Sequence, residues 1–211
     1  MPAAGFFVVL EGPEGAGKTT LARALGERLR ALGVDAVLVR EPGGTPAAEA
    51  LRTELLDADR QWTPEMELLY MVTARADLVT RVIRPALAAG RVVVSDRFDL
   101  STHAYQGTGR GVPAEFVEWV NRAATGGLRP ELTLVLDLQP GAGTERLRRT
   151  GRAQNRLDQE SADFHDRVTR HYLAEQGPGI RHLDATLPPD RLLDSALAEL
   201  RAARPDLIRA G

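Results

Sequence analysis

Eight consecutive residues, Gly12-Pro13-Glu14-Gly15-Ala16-Gly17-Lys18-Thr19, have the composition and spacing of a phosphate cradle. Glycines at 12, 15 and 17 let successive backbone N–H groups turn inward onto anionic oxygens, with Pro13, Glu14 and Ala16 completing the turn. The stretch follows an apolar run, Phe6 to Leu10, and leads into Thr20-Leu21-Ala22-Arg23-Ala24-Leu25, which reads as a helix. The N-terminus of that helix adds partial positive charge. Lys18 would reach the outer phosphates of a bound polyphosphate, and the hydroxyl of Thr19 suits a Mg²⁺ ion. Lysine is otherwise avoided: of 27 Lys plus Arg, Lys18 is the single lysine. A compact ammonium fits inside a loop wrapped around phosphate, where a planar guanidinium is too large.

Three further groups could do chemistry. Val92-Val93-Val94-Ser95-Asp96-Arg97 is an apolar strand ending in a carboxylate. Asp96 would lie beside the phosphate loop and hold Mg²⁺ or its water, or else cap the next helix. Leu134-Val135-Leu136-Asp137 has the same form, and the arginine after Asp96 favours the first. Arg40, Arg75 and Arg97 form a second group, suited to bidentate phosphate contacts. Arg40 and Arg97 each follow a strand at the edge where ligands bind such sheets. Arg75 shares a helix face with Leu68 and Met71. The third group, Arg148 to Arg156, is a glycine-containing run with arginines at 148, 149, 152 and 156. It is either a solvated basic loop or a lid that closes over a transferred phosphoryl group and neutralises its charge. His103, His165, His171 and His182 have no metal-ligand spacing, and no Asn-Lys-x-Asp guanine-reading motif is present.

The elements that position these groups alternate. Strands are expected at Phe6–Glu11, Asp35–Val39, Arg91–Ser95, Leu132–Asp137 and Ile180–Asp184. Helices are expected at 18–32, 47–56, 64–89, 113–125, 140–149, 159–176 and 189–204, with Pro85 as a candidate kink. Residues 96–111 read as a polar, glycine-containing stretch around a short helical piece. This alternation predicts an α/β fold, a parallel five-stranded sheet with helices on both faces, of the P-loop NTPase type. At 211 residues the chain is expected to be one P-loop domain, 1–211, with a mobile lid around 149–157. A net charge of -2 gives no global attraction to nucleic acid or membrane. The chain has no cysteine, no basic leader and no apolar run of membrane-spanning length, so a cytoplasmic protein is expected.

Over nearly its whole length the chain resembles the thymidylate kinases. The likeness rests on Glu11 to Thr20, Arg40-Glu41-Pro42-Gly43-Gly44-Thr45, Thr73-Ala74-Arg75, Asp96-Arg97-Phe98, Ser101-Thr102-His103-Ala104-Tyr105-Gln106-Gly107, Arg129-Pro130-Glu131-Leu132-Thr133 and Asp184-Ala185-Thr186. The resemblance implies transfer of the γ-phosphoryl of ATP to dTMP, a step in making dTTP, with Mg²⁺ as cofactor and a homodimer as the assembly. It implies that Glu14 holds the sugar 3′-hydroxyl and that Arg75 and Arg97 grip the phosphate or base of dTMP, with Arg40 nearby. Thr102 and Gln106 would lie around the base, Tyr105 against the sugar 2′ position, and Ala185 near the adenine. In one branch of the family an arginine follows the acidic residue of the loop. Here that place is Gly15, so catalytic charge would come from Arg149, Arg152 and Arg156, alongside Lys18 and Arg97. The family's usual thymine-stacking aromatic, four residues before Arg75, is Met71 here. Tyr70 stands beside it on a different part of the helix face.

A phosphate acceptor is mostly ionised at neutral pH and needs no general base. A nucleoside kinase would need one, with Glu11 or Glu41 as the candidates. A nucleotide-dependent switch would need neither a base nor three arginine sites outside the phosphate loop.

Overall fold

The computed structural model describes residues 5–150 and 155–207. Its centre is a sheet of five parallel strands: β1 (Phe6–Glu11), β2 (Ala36–Arg40), β3 (Val92–Asp96), β4 (Leu132–Asp137) and β5 (Ile180–Asp184). The spatial order is β2-β3-β1-β4-β5, with every neighbouring pair parallel. Strand β1 is buried along its whole length because helices cover both faces. Its side chains alternate between two cores. Phe6, Val8 and Leu10 pack with Leu21, Leu25, Leu29 and the apolar face of a C-terminal helix. Phe7 and Val9 pack with Leu78, Val79, Ile83 and Phe98 on the other side.

The helices follow the sequence pattern closely: α1 (Lys18–Ala31), α2 (Pro46–Leu56), α3 (Pro64–Leu78), α4 (Arg84–Ala88), α5 (Asp99–Thr102), α6 (Ala114–Thr125), α7 (Ala142–Thr150), α8 (Ala162–Ala174) and α9 (Pro189–Ala203). Thr45, Thr63 and Ser161 cap α2, α3 and α8 by accepting from the backbone N–H groups of Ala48, Met66 and Phe164.

Two departures from the expected pattern matter. The single helix expected over 64–89 is interrupted by a π-helical segment, Val79–Ile83, between α3 and α4. Pro85 follows two residues after its end; it has no N–H to give and its ring crowds the carbonyl four residues back, so a widened turn ahead of it lets the helix continue. The stretch after Asp96, expected to hold a short helical piece, is helical from Asp99 to Gly109: α5 runs into a π-helix, His103–Gly109. Glycine-rich composition hid it from the sequence. The buried carboxylate of Glu11 supports its start by accepting from the backbone N–H groups of Phe98 and Ser101, at 2.8 and 3.1 Å.

The carboxyl ends of β1, β2 and β3 lie side by side, with Leu10 and Arg40 both in register with Asp96. This edge delivers Glu11, Arg40, Glu41, Asp96 and Arg97 to one place, where open parallel sheets hold their ligands.

Candidate active site

A cavity of about 630 Å³ opens at that edge. Of the phosphate loop, Glu14, Gly15, Gly17, Lys18, Thr19 and Thr20 line it. Gly12, Pro13 and Ala16 shape the loop from behind. Gly12, Gly15 and Gly17 all have positive φ, at 138°, 74° and 92°. Lys18 is turned back into the loop, donating to the carbonyls of Gly12 (2.9 Å) and Pro13 (2.6 Å). Burial and the charge of Arg97 lower its ammonium pKa to about 8.

Gly15 is also fixed by a neighbour. A Cβ there would lie 2.3 Å from the carbonyl oxygen of Gly143 in the first turn of α7, and a Cβ on Gly143 would lie 1.9 Å from the carbonyl oxygen of Glu14. The loop and α7 therefore touch backbone to backbone, and no side chain fits at position 15 while they do.

Between the two candidate strand-end carboxylates the structure discriminates. Asp96 Oδ2 accepts from Thr19 Oγ1 at 2.5 Å at the cavity wall. Asp137 instead faces His182, 2.8 Å from its Nδ1, away from the phosphate loop. Thr19 and Asp96 are hard oxygen donors of the kind Mg²⁺ takes, beside a loop that would hold phosphate. Among the described residues no cluster of three or more His, Cys, Asp or Glu could hold a metal alone. A Mg²⁺ ion here would thus draw its other ligands from nucleotide phosphate and water, which is how this ion is usually bound.

Arg97 sits in the middle of the site with φ of 76°, the one non-glycine positive φ among the described residues. Such strain persists only where the surroundings over-determine it. Its backbone N–H donates to Leu10 O, and its carbonyl accepts from Ser95 Oγ at 2.7 Å. The guanidinium donates to Glu14 Oε1 (2.6 Å), Ser101 Oγ (3.0 Å), and the hydroxyls of Tyr105 and Tyr172 (both 3.2 Å). It also lies over the ring of Tyr105, 5.0 Å from the centroid. Glu14, Arg97 and Tyr105 thus form one knot beside the phosphate loop.

Arg75 is buried and lines the same cavity. Its Nε donates to Glu41 (2.6 Å), one terminal nitrogen to Thr102 (2.8 Å) and Asn121, and the other to Phe98 O (2.9 Å). Four of its five N–H groups are engaged, so the guanidinium plane is fixed with one donor to spare. Glu41 carries the counter-charge, and burial raises its carboxyl pKa to about 7 against the opposing pull of Arg75. Glu11, the other candidate base, has its carboxylate engaged by Phe98, Ser101 and Tyr172. Thr102, Tyr105 and Gln106 reach the cavity from α5 and the π-helix, and Met71 from α3. Tyr70 turns away and packs on Trp62, ring centroids 4.6 Å apart.

The remaining expected residues are more scattered. Arg40 lines the cavity while forming a two-pronged ion pair with Glu49, at 2.8 and 2.9 Å. Arg149 lies on the outer surface of α7, paired with Glu145. Arg156 is largely enclosed, donating to Leu55 O (3.1 Å) and Glu67 (2.5 Å). Arg152 lies outside the described residues. Ala185 is buried at the end of β5, outside the cavity wall, and its carbonyl accepts from Arg146 at 2.9 Å.

The structure adds residues that the sequence reading passed over. Arg52 on α2 reaches the cavity and donates to Pro42 O at 2.8 Å. Arg146 on α7 also lines it. Glu67 is buried one turn before Met71 and two before Arg75, a spacing of four that would have placed it on their helix face.

The thymidylate kinase family model matches residues 10–195. A thymidylate kinase of Cereibacter sphaeroides is 48% identical over 209 residues, covering 95% of this chain and 96% of the relative. One from Ectopseudomonas mendocina is 44% identical over 207 residues, covering 98% of each. The crystal structure of thymidylate kinase from Ehrlichia chaffeensis superposes with a TM-score of 0.76 at 26% identity, covering 93% of this chain and 99% of that one. With a phosphate loop, a strand-end carboxylate on its threonine and an arginine knot in one cavity, and with these matches over most of its length, the chain belongs to the thymidylate kinase family.

Proposed function

We propose that the cavity holds ATP and dTMP end to end and that the residues above divide phosphoryl transfer between them. The reaction is that of the family: the γ-phosphoryl of ATP passes to dTMP, giving dTDP and ADP. The observation that carries the division of labour is the Glu14–Arg97–Tyr105 knot directly beside the phosphate loop.

In this reading the backbone N–H groups of Gly12 and of residues 14 to 20 hold the ATP phosphates, with Pro13 shaping the turn. Lys18 exchanges its bonds to Gly12 and Pro13 for the outer phosphate oxygens. Thr19 and Asp96 hold Mg²⁺, which would supply charge neutralisation between the phosphates. Arg97 grips the acceptor phosphate, and Arg40 and Arg52 add positive charge on the same side. Glu14 accepts from the sugar 3′-hydroxyl, and Tyr105 closes off the 2′ position. Arg75, Thr102, Gln106 and Met71 surround the base. The acceptor phosphate, with a second pKa of about 6, attacks in its ionised form, so the chain supplies position and charge and no base. Lid arginines 149, 152 and 156 complete the charge around the transferred group. The backbone contact between Gly15 and Gly143 supports a lid origin for this charge, because it leaves no room for a side chain in the loop. Domain 1–211 is then one kinase unit with a lid around 149–157, of which residues 151–154 lie outside the described residues.

A homodimer and a cytoplasmic location belong to the same reading. The dimer is supported by an exposed apolar surface of Met66, Leu69, Phe116 and Trp119 on α3 and α6, with Trp119 66% exposed. Among the described residues no helix is long and apolar enough to cross a membrane. ADP release from ATP and Mg²⁺ with dTMP, dUMP, dCMP or dGMP tests the function directly. Turnover with dTMP is expected, and its absence would overturn the assignment. Light scattering with and without Trp119→Glu tests the dimer: a monomer in both would refute it.

A further inference from the structure

Glu67 touches no part of the phosphate loop, yet three side chains converge on it with four hydrogen bonds. Its side chain is 1% exposed on α3. Gln106 Nε2 donates to Oε1 at 2.7 Å. Arg110 contacts both oxygens, at 3.2 and 3.0 Å, and Arg156 donates to Oε2 at 2.5 Å. Arg110 is itself shared with Glu160 at 2.6 Å. Burial pushes the carboxyl pKa up, but the hydrogen bonds of Arg110 and Gln106 and the charges of Arg110 and Arg156 outweigh it and hold the group ionised.

An ionised carboxylate only accepts hydrogen bonds. A side-chain amide beside it must therefore turn its NH₂ toward it and its oxygen away. Gln106 is nearly enclosed and lines the cavity, and its Oε1 accepts from no described residue. The orientation of the amide thus follows from the charge of its neighbour. The cavity is presented with an acceptor at Gln106 and, from Arg75, with a fixed donor.

We propose that Glu67 is a positioning residue for base selection: by fixing the Gln106 amide it makes the site read a base edge that carries an N–H donor beside a carbonyl acceptor. This deepens the proposed function and rests on the base lying against Gln106. Thymine and uracil offer N3–H and O4. Cytosine offers the reverse, an N3 acceptor and an amino donor. With the amide locked, cytosine meets an acceptor with an acceptor and a donor with a donor. Rejection of this kind is strong because the buried polar groups are left unpaired.

The test uses the full-length enzyme and measures kcat/KM for dTMP and dCMP in the wild type, in Glu67→Gln and in the swap Glu67→Gln/Gln106→Glu. A glutamine at 67 can donate or accept, so the Gln106 amide is free to turn over. The dTMP to dCMP ratio is then expected to fall about tenfold or more, chiefly through the KM for dTMP. In the swap, the new carboxylate at 106 only accepts and is held by the amide at 67, so the ratio is expected to recover. A Glu67→Gln enzyme whose two kcat/KM values change together, with the ratio kept within about twofold of wild type, would overturn the proposal, because loss of packing alone acts on both substrates alike. If Glu67→Gln does not fold by circular dichroism, the swap decides: kept dTMP preference supports the proposal and lost preference overturns it. Failure of both to fold would also overturn it, since Glu67 would then be structural. Wild-type protein without dTMP turnover would refute the functional reading instead.

Discussion

The two sides of the cavity carry arginine in opposite ways. On the side of α3 and the end of β3, Arg75 and Arg97 are enclosed and tied down before any ligand arrives, each to a carboxylate at 2.6 Å and to several neutral oxygens. On the α7 side, Arg148 and Arg149 share Glu145 and are 76% exposed. Enclosed pairs are held in one geometry, whereas exposed pairs contribute little and exchange partners readily. In the proposed function the difference separates charge that defines a binding shape from charge that would travel with the lid. Arg156 stands between the two: it belongs to the proposed lid in sequence, yet it is latched to Glu67 and Leu55.

The sharpest way to break this contrast is to remove the travelling charge. Arg149→Ala, Arg152→Ala and Arg156→Ala are each to be measured for kcat and for melting temperature. The arginine that meets the transferred phosphoryl group is expected to cost on the order of 10³-fold in kcat. Arg149→Ala should leave the melting temperature unchanged, and Arg156→Ala should lower it by several degrees because Glu67 loses a partner. Unchanged kcat in all three would sink the lid as the source of catalytic charge.

Next in size is Arg97→Lys. A lysine keeps the charge but cannot reach Glu14, Ser101, Tyr105 and Tyr172 together, and its backbone must still adopt positive φ. A loss of about 10²-fold in kcat/KM for dTMP is expected, with the KM for ATP nearly unchanged. An equal rise in both KM values would show that the knot serves the whole cavity and not the acceptor side.

Glu41→Gln gives a pH signature. The folded carboxyl pKa is raised from 4.5 to about 7, so its protonated form is favoured in the folded state. Its contribution to stability is present below about pH 4.5 and is lost as pH rises through about 7. The wild type should therefore lose stability relative to Glu41→Gln between pH 5 and pH 8, by a few kcal/mol at most. Parallel melting temperatures across that range would contradict the raised value. The smallest effect is expected for Glu145→Ala, which removes an exposed partner of Arg148 and Arg149. No measurable change in melting temperature is expected. A measurable loss would mean that the α7 arginines are held more firmly than their exposure suggests.

Much of this was readable in the sequence because local physics matches the fold. The sheet, the loop-to-helix turn and the capped helices follow from apolar runs, glycines and Thr or Ser before helix starts. Asp96 was separable from Asp137 by the arginine beside it, and the contact with Thr19 agrees. What was hidden is long-range. Nothing local marks the run of α5 into the π-helix His103–Gly109; the start of α5 is supported by a glutamate more than 80 residues earlier in the chain. Arg52 and Arg146 were two arginines among many until folding brought them to the cavity. Glu67 was visible by its spacing from Met71 and Arg75, yet its partners Arg110 and Arg156 come from segments that no helical period connects.

The contact between Gly15 and Gly143 also constrains how such an enzyme could be redesigned. An arginine grafted into the loop at position 15 would claim volume that α7 already fills, so it could enter only if α7 retreated and took its own arginines with it. Placing charge in the loop and placing it in the lid are then rival tenants of one space. A single-residue transplant into the loop would displace α7, so the exchange would have to be made in both segments at once.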